Sequence, residues 1–142
     1  MIVSGAHHIG QNIYHVEWCP KYRYKMFTKD KNKKLCEAIL RETAKHHNIQ
    51  ILEINILSDH IHLAISIPST MSIAKAFQLL KGGSAYELFK REPKFRLRYP
   101  KGHFWSLGKS FRTIGDIDLK TTTHYIRNQH NINQATLQHF HN

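Results

Sequence analysis

The sequence predicts an α+β fold: a ferredoxin-like βαββαβ antiparallel sheet (RRM-like) with helices on one face and an additional C-terminal helix. Three observations predict it. Alternating or β-branched stretches fall near residues 13–18, 49–57, 58–68 and 103–114. Two stretches with apolar residues at helical spacing, 31–47 and 72–91, separate them in the required order. A last helical stripe follows the final strand.

The first strand is Ile13-Tyr14-His15-Val16-Glu17-Trp18, which alternates and is stopped by Cys19-Pro20. Lys21-Tyr22-Arg23-Tyr24-Lys25 interleaves cations with rings. It reads either as a basic edge strand or as a segment whose cations meet phosphates and whose rings stack on bases. Asp30 is a candidate N-cap for a helix over 31–47, with Leu35, Cys36, Ile39, Leu40 and Ala44 on its apolar stripe. A second strand over Ile49–Leu57 turns at Ser58-Asp59 into a third that ends at Pro68. Ser69-Thr70-Met71-Ser72 offers caps for helical residues up to 91, and Gly82-Gly83 predicts two helices or a sharp kink there. His103–Ser106 and Lys109–Ile114 suggest a strand or hairpin with Leu107-Gly108 as its turn. Asp118 is the expected cap of a last helix over 119–131, with Leu119, Thr122, Ile126 and His130 on its stripe. That helix is expected either to cross the open face of the sheet or to reach a second copy of the chain.

The chain has 142 residues, so a single domain over 1–142 is expected, with a loose arm at 1–10 and a polar tail from 134 to 142. Lysine and arginine outnumber aspartate and glutamate by 21 to 10, a formal net charge of +11. Such an excess favours a polyanionic partner, most commonly nucleic acid, over a membrane. No apolar run approaches the ~18–20 residues of a membrane span, and the N-terminal residues lack a signal-peptide core. The cytoplasm is therefore the expected compartment. Cys19 and Cys36 match no zinc spacing and no disulfide framework.

The chemistry concentrates on Asp59-His60-Ile61-His62-Leu63-Ala64-Ile65-Ser66. On a strand, Ile61, Leu63 and Ile65 face a core, while His60, His62 and the small Ala64 and Ser66 face the other way. Two imidazoles on one face can close on a divalent cation, although the pair alone also suits a solvated strand face. Tyr125 and Gln129 are four apart on the last helix and so lie one above the other. Gln129 carries a hard carbonyl oxygen compatible with magnesium or manganese. A tyrosine beside a bound cation gains phenolate character and can attack phosphorus. Lys90, Arg91, Lys94, Arg96, Arg98 and Lys101 form the densest basic stretch, with Phe95, Leu97 and Tyr99 interleaved; Lys21, Arg23, Lys81 and Arg112 are further candidate DNA contacts. His139-Phe140-His141 repeats the His-x-His pattern in the polar tail and is set aside.

Five segments, in this order and spacing, resemble a known family: Tyr14–Trp18 followed by Lys21-Tyr22-Arg23; Asp59–His62; Leu80-Lys81-Gly82; Phe104-Trp105-Ser106; and Tyr125-Ile126-Arg127-Asn128-Gln129. From about Tyr14 to Gln134 the chain is similar to single-tyrosine HUH transposases of the insertion-sequence 200/605 type. The resemblance implies an enzyme that cuts and rejoins single-stranded DNA at the hairpin-bearing ends of a mobile element through a 5′-phosphotyrosine. It implies Tyr125 as nucleophile and His60, His62 and Gln129 as ligands of Mg2+ or Mn2+, with no organic cofactor. It also implies a homodimer with shared active sites. Lys109 departs from the family pattern, where an aromatic is expected. Two alternatives remain at this point: a non-catalytic single-strand nucleic-acid-binding domain of ferredoxin-like fold, and a related HUH replication or relaxase nuclease.

Overall fold

The computed structural model describes residues 12–129, with the side chains of 116 and 117 aside. The predicted arm, the polar tail, His130 and His139-Phe140-His141 lie outside the described residues. The elements run β1 (Ile13–Trp18), α1 (Asp30–His46), β2 (Gln50–Ile56), β3 (Ile61–Ser66), α2 (Ile73–Arg91), β4 (Ser110–Thr113) and α3 (Asp116–Arg127), with short 3-10 turns at Lys21–Arg23 and Pro93–Leu97. The four strands form one sheet in the order β2-β3-β1-β4, and each neighbouring pair is antiparallel. This is the predicted α+β order, with the extra C-terminal helix in place. No helix among the described residues is long and apolar enough to cross a membrane.

Alternation along the two central strands divides the molecule into two layers. Val16 and Trp18 of β1 and Ile61, Leu63 and Ile65 of β3 face Cys36, Ile39, Leu40 and Ala44 of α1 and Ala76, Phe77, Leu80 and Leu88 of α2 in the main core. Each large aliphatic side chain fully buried there contributes about 1.5–3 kcal/mol. Cys36 is wholly buried, which pushes its thiol pKa up and leaves it a packing residue. The opposite face holds a smaller cluster, Ile13, Ala64, Ile114 and Ile126, with Leu52, Leu119 and Tyr125 packed against it. Of the three predicted stripe residues within α3, Leu119 and Ile126 sit in this cluster and Thr122 is buried as well. The last helix therefore lies on its own chain's sheet.

Several local expectations are corrected. Helix α2 runs through Gly82-Gly83 without a break. A Cβ at Gly83 would stand 2.8 Å from Thr43 Cγ2 of α1, so this glycine lets two helices approach, while a Cβ at Gly82 would meet nothing within 4 Å. Asp30 is not a cap but the first helical residue, paired with Lys34 at 3.0 Å one turn on. Gly115, not Asp118, occupies the N-cap position of α3. Residues 103–106 form no strand with 109–114. They pair instead with the chain after β1: the Lys21 amide donates to the Phe104 carbonyl (2.8 Å), the Ser106 amide donates to the Cys19 carbonyl (2.9 Å), and Trp105 bridges Pro20. Their aromatic rings fill the core, and the Trp105 indole donates to Ser84 Oγ at 2.9 Å. Lys21–Arg23 is a 3-10 turn, which removes the edge-strand reading.

The two glycines separate packing from propensity. Gly83→Ala is expected to be less stable than Gly82→Ala by about 1–3 kcal/mol, because overpacking costs that much while both gain helix propensity. Urea denaturation of the two variants checks this, and equal midpoints would mean that Thr43 yields without cost.

Candidate active site

The β1–β3 register builds the site. Glu17 lies opposite His62 and His15 opposite Ala64, so His15, Glu17 and His62 share one face, with the small Ala64 beneath them. Their ligand-bearing atoms lie within 4.8 Å of one another. His62 is 3% exposed. Its Nδ1 stands 3.1 Å from Glu17 Oε2 and 3.1 Å from His15 Nε2. Burial, then the neighbouring His60 and His15, lower its pKa to about 3; burial, then Arg112, lower that of His15 to about 4. Both rings are neutral at pH 7. With Nδ1–H of His62 directed at the Glu17 carboxylate, Nε2 carries a bare lone pair, and this buried atom has no hydrogen-bond partner among the described residues.

His60 falls just before β3 rather than on it. The tight turn that starts the strand, closed by the Leu57 amide on the His60 carbonyl (2.8 Å), still brings its ring to 4.9 Å from that of His62. His60 Nδ1–H donates to Asp59 Oδ1 at 2.8 Å, and Asp59 Oδ2 accepts from Arg23 Nε at 3.1 Å. Burial alone would raise the Asp59 carboxyl. The hydrogen bonds from His60 and Arg23 and the Arg23 charge outweigh it and hold the group below the usual carboxylate range. Each histidine of the pair thus has a carboxylate at Nδ1, an arrangement that fixes the tautomer and leaves Nε2 as the lone-pair atom.

Helix α3 delivers the tyrosine. Ile126 is fully buried against the sheet, Asn55 Nδ2 of β2 donates to the Ile126 carbonyl (2.9 Å), and the Arg127 guanidinium grips Glu53 at 2.7 and 3.0 Å. Tyr125 then stands edge-on to both imidazoles, with ring centroids 6.1 Å from His15 and 6.3 Å from His62. Gln129 lies two residues beyond α3 and is 5% exposed. A cleft of about 460 Å3 takes in Glu17, Arg23, His60, His62, Lys109, Tyr125 and Gln129. All four residues singled out from spacing therefore meet in one cavity.

The candidate DNA contacts divide. Arg23 lines the cleft, and Arg112 lines an adjoining hollow with His15 and Tyr125. Lys21, Arg98 and Lys101 gather around a separate aromatic hollow. Lys94 shares a basic depression with Lys25, Lys29 and Lys31. Lys90 and Arg96 lie over the rings of Tyr86 and Phe89. Two candidates are engaged inside the protein. Lys81 Nζ donates to the Ser106 carbonyl at 2.7 Å, and burial, then the Lys109 charge, lowers its pKa; Arg91 is tied to Glu42 of α1 and to Glu87 one turn back on its own helix. Phe95 and Tyr99 are core residues, so only Leu97 of the interleaved apolar side chains is exposed. Lys109 covers the Phe77 ring at 5.4 Å on the cleft wall. Sequence reasoning missed His15, Glu17 and Asp59. The first two share a face of β1, but only the β1–β3 register sets them beside His62.

An α+β domain of this order, with a histidine pair and a tyrosine facing one another across a basic cleft, has the build of a DNA transposase. The chain belongs to the IS200-like transposase family, whose model, described as "Transposase IS200 like", matches residues 9–129. It is 33% identical over 116 residues to the transposase for insertion sequence element IS200 of Salmonella typhimurium, covering 82% of this chain and 75% of that one. It is 27% identical over 127 residues to the ISDra2 transposase TnpA of Deinococcus radiodurans, covering 89% and 90%. Among solved structures it is similar to a candidate transposase from Deinococcus radiodurans (TM-score 0.67, 25% identity, 82% of this chain and 89% of that chain). In fold it is also similar to a REP-associated tyrosine transposase bound to a REP hairpin (TM-score 0.60, 12% identity, 85% and 67%).

The ties between β2 and α3 predict a local effect. Asn55→Ala removes a hydrogen bond worth about 1 kcal/mol, so amide exchange in α3 is expected to quicken about fivefold while β3 stays protected. Hydrogen–deuterium exchange measures this, and unchanged exchange in α3 would mean that apolar contacts alone hold the helix.

Proposed function

We propose that this transposase cuts and rejoins single-stranded DNA at the ends of a mobile element, with Tyr125 as the nucleophile and a 5′-phosphotyrosine as the intermediate. The observation that carries the reading is the placement of the Tyr125 ring, edge-on to His62 in the cleft that also holds His60 and Gln129. The donors fit a divalent cation: two imidazoles, each with Nδ1 at a carboxylate, and one amide oxygen. His60, His62 and Gln129 would hold Mg2+ or Mn2+, with Glu17 and Asp59 orienting the two rings. Such a cation, when bound, supplies Lewis-acid polarisation of the phosphodiester.

The chain's own residues account for the rest. Lys109 and Arg23 bring positive charge to the cleft walls and hold the scissile phosphate. The Tyr125 hydroxyl oxygen bonds to phosphorus as its proton leaves, and the bond from phosphorus to the 3′ oxygen breaks. The 3′ oxygen takes up a proton, and the 5′ phosphate stays on Tyr125. The phosphodiester's energy is kept in that link, so a 3′ hydroxyl can later reverse the step without ATP. The partner is single-stranded DNA with hairpins at the element's ends, a reading supported by the hairpin on the REP-associated relative. A homodimer with shared active sites completes the proposal.

Tyr125→Phe removes one oxygen and keeps the packing ring. Incubated with labelled single-stranded element ends and magnesium, the wild type is expected to form a covalent protein–DNA adduct. Tyr125→Phe should lose it by at least roughly 10³-fold while keeping its fold and its DNA affinity. An active Tyr125→Phe would place the chemistry on another residue.

His60→Ala and His62→Ala are expected to abolish cleavage at millimolar magnesium. His60→Ala, at the partly exposed position, should keep hairpin affinity within about threefold, because affinity comes from phosphate contacts elsewhere. Gel-shift and cleavage assays on the same preparations check this, and full cleavage by both variants would remove the histidine pair from the mechanism.

A further inference from the structure

A second hollow, of about 310 Å3, lies on the other side of the Lys21–Arg23 turn and is lined by Lys21, Tyr22, Tyr24, Arg98, Tyr99 and Lys101 among others. Most of its aromatic surface is already engaged. The Tyr24 ring stacks on Tyr99 at 5.5 Å and carries the Arg98 guanidinium 4.3 Å away. The Tyr99 hydroxyl donates to the Lys21 carbonyl at 2.7 Å and so pins the turn to the 93–103 segment. Tyr22 is the exception. The residue is 66% exposed, and among the described residues its ring meets the tilted ring of Tyr24 at 5.3 Å and the Lys21 ammonium at 5.5 Å.

The backbone here is strained. Tyr22 has φ +62° and Arg23 has φ +52°, so two successive residues with side chains stand in the left-handed region. That conformation costs free energy. It does have a geometric result: Arg23 lines the cleft and pairs with Asp59 while its neighbour Tyr22 lines the second hollow.

We infer that this hollow is a subsite for one unpaired nucleotide of the strand that enters the cleft. Its base stacks on Tyr22, and its phosphate meets Lys21 and Lys101. A base paired in a duplex cannot offer its face in this way, whereas an unpaired base of any identity can. One turn of the chain then couples the two sites, so that a nucleotide held at Tyr22 sets which phosphate reaches Tyr125. This inference rests on the reading that the protein acts on single-stranded DNA.

The test uses the full-length chain and a fluorescein-labelled DNA hairpin, either blunt or with an oligothymidine tail, read by anisotropy in EDTA and again with magnesium. Tyr22→Ala is expected to weaken binding of the tailed hairpin about tenfold and leave the blunt hairpin unchanged, while Tyr22→Phe binds as wild type. A single abasic site moved along the tail should weaken wild-type binding at one position and have no further effect on Tyr22→Ala. Tyr22→Gly relieves the strain, so it should melt at a higher temperature than wild type while binding the tail as poorly as Tyr22→Ala. Equal affinity of Tyr22→Ala and wild type for the tailed hairpin, or equal losses on tailed and blunt hairpins, would overturn the subsite. Tail binding that depends on Tyr22 without any covalent adduct would keep the subsite and sink the cleavage reading. An adduct formed with tail binding indifferent to Tyr22 would do the reverse.

Discussion

The antiparallel pairing of β1 with β3 is the constraint on which the rest depends. One register places Val16 and Trp18 with Ile61, Leu63 and Ile65 in the main core, and sets His15 and Glu17 around His62 on the reverse. A slip of one residue would send the imidazoles into the core and the isoleucines into the cleft. The apolar face therefore guards the polar one: the same burial that stabilises the sheet specifies which groups meet at the site.

A site on a covered sheet face has its own physics. Burial holds His15 and His62 neutral, with pKa values near 4 and 3, so their lone pairs persist over the whole physiological range. Free imidazoles on a wet surface would titrate near neutrality. Helix α3 provides that cover as well as the tyrosine, through Ile126, the Asn55 bond and the Arg127–Glu53 pair. The +11 charge acts at longer range and favours the approach of polyanions, and Arg23 and Lys109 line the cleft.

Much of this was legible in the sequence where the signal is local. The alternation of Ile61, Leu63 and Ile65 with histidine defines both β3 and its two faces, and Tyr125 and Gln129 both reach the cleft, although α3 ends at Arg127 and Gln129 stands past the helix expected to carry it. What escaped is set by contacts distant in sequence. Glu17 and His15 matter because of who lies opposite them, which no spacing within β1 reveals. Gly83 reads as a break until Thr43 of another helix is placed against it. Residues 103–106 alternate like a strand, but Phe104 and Trp105 are spent on the core and their backbone pairs with 19–21. Lys81 and Arg91 look like free cations and are committed to internal partners.

The central claim is that His62 on the reverse face of β3 and His60 in the turn before it make a metal-binding site next to Tyr125. Electron spin-echo spectroscopy of the full-length chain loaded with Mn2+ tests it most directly, because coordinated imidazole nitrogens modulate the manganese signal. The account predicts modulation from two imidazoles, reduced to one in His60→Ala and unchanged in Tyr125→Phe. A Mn2+ signal with no nitrogen modulation, or one that His60→Ala leaves intact, would contradict it.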